Sequence, residues 1–168
     1  MDVISHGLWG WLAFGRKSKS RYAPALFFGM LPDLFAFVPF FIYTKIYNIH
    51  FRGAPPLEIM PPWVFLLYDL GHSLIIFAFF YIFIGRYSRK AAYCSLAWLL
   101  HILIDIPTHS ADYFPTRFLY PFSDFIVDGW SWNSPVIWFP NLGLLLIFYS
   151  AFIFAALQRK KKPCSLPL

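Results

Sequence analysis

The sequence predicts an all-α integral membrane protein, a helical bundle with four long spans and a short N-terminal apolar helix. Three observations support this fold class. Hydrophobic residues make up 59% of the 168-residue chain and charged residues only 13%, about half of the roughly 25% typical of soluble domains. Several apolar stretches approach the about 20 helical residues that cross a bilayer. The basic residues are gathered in short segments between those stretches.

Each predicted span is an apolar stretch with few charges. The first apolar stretch, Val3–Gly15, is short for a membrane crossing. The four predicted spans are Ala23–Tyr43, Trp63–Ile84, Ala91–Pro107 and Pro135–Leu157. Together they predict one transmembrane helical domain, residues 1–157, followed by a basic tail, residues 158–168. Pro32 removes a backbone donor inside the first long span, so a helix discontinuity is expected at Asp33.

The basic residues predict the orientation of the chain. Three clusters, at residues 16–21, 86–90 and 159–162, hold eleven of the 14 Lys and Arg residues and no acidic residue. Short basic segments between apolar spans are cytoplasmic under the positive-inside rule, which predicts a cytoplasmic C-terminus. Nucleic-acid binding would need a basic groove interleaved with aromatic rings. We therefore expect the lipid bilayer as a partner and no nucleic acid.

Two loops remain for the outer side, residues 44–62 and 108–133. The second loop contains three aspartates, Asp112, Asp124 and Asp128, and aromatic residues that include Tyr113, Phe114, Tyr120, Phe122, Trp130 and Trp132. Interfacial anchoring is one interpretation of these rings, since aromatic residues favour the membrane–water interface. The other interpretation is a lid over a site. Cys94 and Cys164 are isolated, and no disulfide is predicted.

Ionisable side chains occur inside or just beyond the apolar stretches, where a charge costs at least about 2.5–3.5 kcal/mol. They are His6, Asp33, Asp69, His72, His101, Asp105 and His109. Counted at about 1.5 Å per residue from the cytoplasmic ends, four separate segments deliver such groups to a similar depth, about 13–21 Å. Either these groups become neutral through pKa shifts, or they converge on a cation. The shared depth favours convergence.

His101 and Asp105 form the most informative pair. Their spacing of four places both side chains on one helix face, one turn apart. In a soluble helix this spacing is typical of a simple hydrogen bond between side chains. Inside an apolar span, with further candidate ligands at the same depth, it favours a metal site. Imidazole and carboxylate ligands suit zinc, manganese or iron.

The remaining candidates each have an alternative structural role. Asp33 is a metal ligand or instead satisfies backbone groups that Pro32 frees. Asp69 either orients a ligand imidazole by a hydrogen bond, without binding the metal itself, or faces the outer loop. His109 closes the site or remains a loop histidine. Gly71 lies beside His72 and allows another backbone to approach closely.

The order of these residues resembles that of a bacterial family. His6-Gly7 is followed by Gly29-Met30-Leu31-Pro32-Asp33, Gly71-His72-Ser73, His101-x-x-x-Asp105, Thr108-His109-Ser110 and Leu119-Tyr120-Pro121-Phe122-Ser123, across about residues 1–125. This order is similar to that of the largely uncharacterised bacterial membrane-bound metal-dependent hydrolases. It also resembles the ligand order of zinc-dependent phospholipase C and its nuclease relatives, which are soluble, all-helical and bind a cluster of zinc ions.

The resemblance implies a ligand set and a location. It implies a first metal held by Asp33, His72, His101 and Asp105. It also implies that Asp105 bridges to a second metal held with His6, and that His109 begins a third site. The His-x-x-x-Glu that would complete the third site is absent, because no histidine follows His109. One or two ions are expected, zinc first and manganese as the alternative, in a protein of the bacterial inner membrane.

Three functions are open at this point. The first is a metal-dependent hydrolase of phosphoester or lipid-linked substrates, in which the metal activates water and Asp33 or Asp69 acts as general base if it is not itself a ligand. The second is a small transport protein that handles protons or divalent cations. The third is a structural membrane protein whose buried polar groups only pair helices. The few spans and the lack of internal repeats argue against transport.

Overall fold

The computed structural model describes residues 1–161, which contain six α-helices and no strand. The helices are α1 (Val3–Gly10), α2 (Lys19–Ile46), α3 (Pro62–Gly71), α4 (Leu74–Tyr87), α5 (Arg89–Thr108) and α6 (Pro135–Lys161). A π-helical turn, Trp11–Gly15, continues α1, and a 3-10 turn, Leu57–Ile59, lies between α2 and α3. The all-α prediction is confirmed. Cys164 and residues 162–168 of the predicted tail lie outside the described residues.

Three helices are long and apolar enough to cross a membrane: α2, α5 and α6. The pair α3 and α4 passes the same test jointly but is bent by 58°, so the count becomes four if the pair is one span. Large apolar side chains are exposed on these helices, including Phe79, Ile82, Ile147 and Phe154. Exposed apolar surface of this extent is compatible with a membrane location.

The stretch Trp63–Ile84, predicted as one span, is divided into two helices. α3 ends at Gly71, and the Ser73 hydroxyl caps α4 by accepting hydrogen bonds from two amides of its first turn, both at 3.2 Å. The Gly71 carbonyl accepts a hydrogen bond from Trp98 Nε1 at 2.6 Å. Irregular backbone is tolerated at membrane depth when protein groups satisfy it, as they do here.

The discontinuity predicted at Asp33 is absent. α2 continues through Pro24, Pro32 and Pro39 without a break. This helix lies at the centre of the bundle and packs against α1, α3 and α5. Its neighbours hold it on several sides, so tertiary packing outweighs the helical hydrogen bonds that the prolines remove.

Two glycines allow the neighbouring elements to lie very close to α2. A Cβ atom at Gly29 would lie 2.5 Å from the His6 carbonyl oxygen, so only glycine allows α1 to pack there. A Cβ atom at Gly71 would lie 3.0 Å from the Pro32 carbonyl oxygen. These two approaches bring His6 and the end of α3 to the segment of α2 that carries Asp33.

Polar side chains attach α6 to α1. The Asn141 side chain accepts a hydrogen bond from Trp9 Nε1 at 2.8 Å and donates one to Ser5 Oγ at 2.9 Å. The Tyr149 hydroxyl donates to the Leu8 carbonyl at 3.0 Å. Only 11% of the apolar window of α6 is buried, so this helix lies at the edge of the bundle.

The second outer loop folds over the ends of α3, α4 and α5. The Ser73 hydroxyl donates to the Tyr120 carbonyl at 2.5 Å, and the Gly129 amide donates to the His109 carbonyl at 2.9 Å. Within this loop Phe114 is only 3% exposed, whereas Phe122 is 82% exposed. The loop thus contributes one ring to the core and leaves another at the surface.

Candidate metal centre

Four buried side chains meet at the centre of the bundle. Asp33 comes from α2, His72 from the junction of α3 and α4, and His101 and Asp105 from successive turns of α5. One nitrogen or oxygen atom of each lies within 4.8 Å of the corresponding atoms of the other three. Asp33 is 4% exposed and the other three no more than 1%. The convergence predicted from their shared depth is present in the structure.

The distances between the ligand atoms suit a single ion. His72 Nε2 lies 3.0 Å from His101 Nε2. Asp105 Oδ2 lies 3.4 Å and 3.0 Å from these two nitrogens, and Asp33 Oδ1 lies 3.6 Å and 3.8 Å from them. A tetrahedral zinc ion with ligands at about 2.0–2.1 Å separates its ligand atoms by about 3.3–3.4 Å. The observed distances bracket that value, so these residues can hold a metal ion.

Two backbone carbonyls orient the imidazoles of the group. His72 Nδ1 donates to the Tyr68 carbonyl at 2.8 Å, and His101 Nδ1 donates to the Gly29 carbonyl at 2.7 Å. A carbonyl oxygen can only accept, so Nδ1 carries the proton in both rings. In the neutral rings the Nε2 lone pairs therefore face each other. This tautomer and orientation are typical of metal-binding histidines.

Two carboxylate oxygens in the group lack partners. Neither Asp33 Oδ2 nor Asp105 Oδ2 has a hydrogen-bond partner among the described residues. A buried carboxylate oxygen without a partner is costly, and a cation beside it removes that cost. Two imidazoles and two carboxylates form a ligand set that zinc, manganese and iron accept.

Further histidines lie against the other oxygen of Asp105. His6 Nε2 is 2.9 Å from Asp105 Oδ1, and His109 Nε2 is 3.4 Å from the same atom. The amino group of Met1 also contacts this oxygen. The His6 ring stacks on that of His101 with 3.5 Å between centroids. The Asp105 carboxylate thus lies between two pairs of histidines: His72 and His101 approach its Oδ2, and His6 and His109 approach its Oδ1.

Sequence reasoning missed two residues of the surrounding structure. The Tyr68 ring stacks on His72 with centroids 3.8 Å apart, and its hydroxyl donates to the Phe114 carbonyl at 3.0 Å. The same carbonyl accepts a hydrogen bond from His109 Nδ1 at 2.8 Å. Phe114 has a φ of 50°, a strained conformation for a residue other than glycine. Tyr68 could have been found, because it lies one turn before His72 on the same face.

Asp69 faces the outer loop, which was one of its two predicted placements. Its Oδ2 lies 3.3 Å from Arg117 Nη1, and Arg117 also approaches Asp124 at 3.7 Å. Asp69 is outside the four-residue group. The Tyr68 carbonyl, not the Asp69 carboxylate, makes the contact that orients His72.

A cleft of about 360 Å³ leads to the group. Asp33 and His109 line it together with residues of both outer loops. The ligand set is therefore buried in the bundle but adjoins a space that a small molecule can enter.

No protein-family model, no curated protein and no solved structure matches this chain.

Proposed function

We propose that the protein is a membrane-embedded metal-dependent hydrolase with one zinc ion held by Asp33, His72, His101 and Asp105. The observation that carries the proposal is the pair of facing Nε2 atoms, 3.0 Å apart, whose rings both donate Nδ1–H to carbonyls. Two lone pairs at this distance repel each other unless a proton or a metal ion lies between them. Zinc is favoured because imidazole nitrogen and carboxylate oxygen are its usual ligands and it can expand its coordination to admit water, whereas manganese prefers more oxygen ligands.

The residues around the ion have different proposed roles in hydrolysis. Asp33, His72, His101 and Asp105 would hold the ion, which would supply a Lewis acid that polarises the scissile bond and lowers the pKa of water toward about 7. Asp33 can act as general base only through the oxygen that does not hold the ion; its Oδ2 is unpartnered within the described chain, and the residue borders the cleft. Asp69 does not take that role in this proposal, because Arg117 engages its carboxylate.

The substrate class that fits this centre is a phosphoester. The resemblance to bacterial membrane-bound metal-dependent hydrolases and to zinc-dependent phospholipase C supports it. A second ion, where one binds, would be held by Asp105 Oδ1 with His6 and His109, which approach that oxygen at 2.9 Å and 3.4 Å.

We further propose four spans, with α3 and α4 crossing as one broken span. The Arg21 guanidinium lies 4.8 Å above the Tyr93 ring and joins the starts of α2 and α5. At the other end, the Tyr113 hydroxyl donates to the Pro55 carbonyl at 2.9 Å. Only Ser88 separates α4 from α5, so the bent pair covers the length of the bundle. The three basic clusters then share one side, which supports a bacterial inner-membrane protein with a cytoplasmic C-terminus.

The test of hydrolysis uses the full chain in detergent with zinc at saturation. We expect zinc-dependent release of p-nitrophenol from bis-p-nitrophenyl phosphate. Asp33→Asn removes a ligand carboxylate together with the base, so it should lower kcat by at least about 10²-fold, the lower end of the range for loss of a general base alone. Asp112→Asn, which changes an exposed carboxylate of the outer loop, should leave kcat unchanged. Protein that holds zinc but hydrolyses no phosphoester in a broad panel would rule out this function.

Reconstituted vesicles separate hydrolysis from transport. Our proposal expects no flux of zinc or protons above that of protein-free vesicles. A flux that Asp33→Asn abolishes would instead favour the transport function.

A further inference from the structure

Helix α6 is the least buried of the three long apolar helices, yet it carries a buried amide. Asn141 is 8% exposed, whereas the side chains of Leu142 and Leu144 beside it are exposed. An amide in an apolar helix is costly unless polar partners satisfy it. The contacts that Asn141 makes therefore explain why it is tolerated there.

The Asn141 side chain uses both ends of its amide on α1. Its Oδ1 accepts a hydrogen bond from Trp9 Nε1 at 2.8 Å, and its Nδ2 donates to Ser5 Oγ at 2.9 Å. The indole N–H can only donate, so the carbonyl end of the amide must face Trp9. Ser5 and Trp9 are four residues apart and lie one turn apart on the same face of α1. Two contacts spaced in this way constrain the rotation of α1 about its axis.

From Ser5 the hydrogen bonds continue to residues that border the metal-ligand group. The Ser5 hydroxyl donates to Asp2 Oδ2 at 2.6 Å, and the Ser5 amide donates to Asp2 Oδ1 at 2.9 Å. Asp2 lines the cleft that leads to the group. The next residue after Ser5 is His6, whose Nε2 lies 2.9 Å from Asp105 Oδ1. A single hydroxyl thus connects Asn141 to the part of α1 that adjoins the centre.

The packing of α1 on α2 does not supply the same constraint. There the backbone of α1 approaches Gly29 so closely that a Cβ atom would lie 2.5 Å from the His6 carbonyl oxygen. Apolar packing is not directional, so it limits the distance between two helices more than it fixes their rotation. Hydrogen bonds depend strongly on angle, so the contacts with Asn141 are the better determinant of that rotation.

We propose that Asn141 is a positioning residue of the metal centre. Through Ser5 it sets the rotation of α1, and so it places the His6 imidazole against the carboxylate of Asp105. This inference rests on the proposed function, because it assumes that Asp105 binds an ion. An amide that only joined α6 to the bundle would stabilise the fold without changing the affinity of the centre for metal.

The test compares two contacts between the same two helices in the full chain in detergent. Asn141→Leu removes the amide, and Tyr149→Phe removes the hydrogen bond of 3.0 Å from the Tyr149 hydroxyl to the Leu8 carbonyl. Chelator competition measures zinc affinity, and thermal melting measures stability. Asn141→Leu should weaken zinc binding by about 2–30-fold, the range for residues that act without touching the ligand. Tyr149→Phe should lower the melting temperature but leave zinc affinity unchanged, because Asn141 still holds α1.

A double-mutant cycle shows whether Ser5 carries the effect. Ser5→Ala alone should weaken zinc binding, and Asn141→Leu should then add little, because the connection to Asp2 is already broken. Ser5→Ala deletes only a hydroxyl, so it maintains the comparison with Tyr149→Phe if Asn141→Leu does not fold.

A second measurement needs no metal. In metal-free protein labelled with ¹⁵N-histidine, Asn141→Leu and Ser5→Ala should each shift the ring signals of His6, which His6→Ala identifies. Tyr149→Phe should leave these signals in place. A purely structural role of Asn141 predicts no such difference between the variants.

The outcomes separate this inference from the function on which it rests. Equal losses of zinc affinity in Asn141→Leu and Tyr149→Phe, or unchanged His6 signals in Asn141→Leu, would overturn the positioning role even if the protein is a hydrolase. Independent, additive effects of Ser5→Ala and Asn141→Leu would overturn it as well. Protein that binds zinc and shows the predicted differences but hydrolyses no phosphoester would support the positioning role, and only the proposed function would fail.

Discussion

Two backbone carbonyls decide the chemistry of the central histidines. The carbonyls of Tyr68 and Gly29 accept the Nδ1 protons of His72 and His101, and so direct both Nε2 lone pairs inward. His6 differs, because its Nδ1 has no partner among residues 1–161 and its Nε2 faces Asp105. The first two rings are therefore oriented as the proposed ligands, whereas His6 contacts the carboxylate of a proposed ligand, Asp105.

This difference predicts unequal effects of two alanine substitutions. His6→Ala should weaken zinc binding by about 10–100-fold, as expected for loss of a group that contacts a ligand. His101→Ala removes a direct ligand and should weaken binding further. Competition with a chromophoric chelator measures both affinities. Equal losses in the two variants would contradict the assignment of the four-residue group.

The sequence predicts the placement of a side chain best where that placement depends only on helix geometry. His101 and Asp105 share a face because they are four residues apart, and both enter the centre. Asp69 was harder to place, since its orientation depends on Arg117 in a distant loop. Phe114 was named only among the aromatic residues of the second outer loop, and its contacts were not predicted, because they depend on the backbone carbonyl and positive φ of an irregular loop.

At the scale of elements, the helices assemble around α2. The stretches predicted to be helical are helical, but the break between Gly71 and Leu74 was not predicted. It depends on partners elsewhere in the chain, such as the Trp98 indole and the Tyr120 carbonyl. At Pro32 the opposite happened: the proline predicted a break in the helix, but packing against neighbouring helices keeps α2 continuous there.

Close packing at Gly29 predicts a specific loss of stability. Gly29→Ala would place a methyl group against the backbone of α1, so we expect a destabilisation of about 1–3 kcal/mol, as for other overpacked sites. Gly143→Ala is the control, because a Cβ atom there meets nothing within 4 Å in the described structure. It should be neutral or slightly stabilising, since alanine favours a helix.

Thermal unfolding in detergent compares the two glycine variants. Gly29→Ala should also bind zinc more weakly, because α1 carries His6 against the ligand Asp105. A melting temperature equal to that of Gly143→Ala would show that α1 does not pack closely at Gly29.

At the scale of the whole molecule, the arrangement of the spans determines which loops lie together. In the proposed four-span arrangement the basic clusters share one end of the bundle, and the two outer loops, which Tyr113 and Pro55 connect, lie at the other. The number of spans was the least predictable feature, because it depends on how the bent pair is oriented.

Single-cysteine labelling tests this arrangement. Ser20→Cys, Lys90→Cys and Asp112→Cys are introduced one at a time into a variant that lacks Cys94 and Cys164. In oriented vesicles, an impermeant maleimide should label positions 20 and 90 from one side and position 112 from the other. If α3 and α4 instead form a re-entrant loop, position 90 would be labelled from the side opposite to position 20.

The most direct test of the metal centre is the metal content of the purified full chain. Elemental analysis should find about one zinc ion per chain, as for a four-ligand site. His101→Ala and Asp105→Ala should reduce it to background, while His50→Ala, which alters an exposed histidine of the first outer loop, should retain it. Wild-type protein that is stable without metal, or His101→Ala with undiminished metal, would contradict a metal site at this centre.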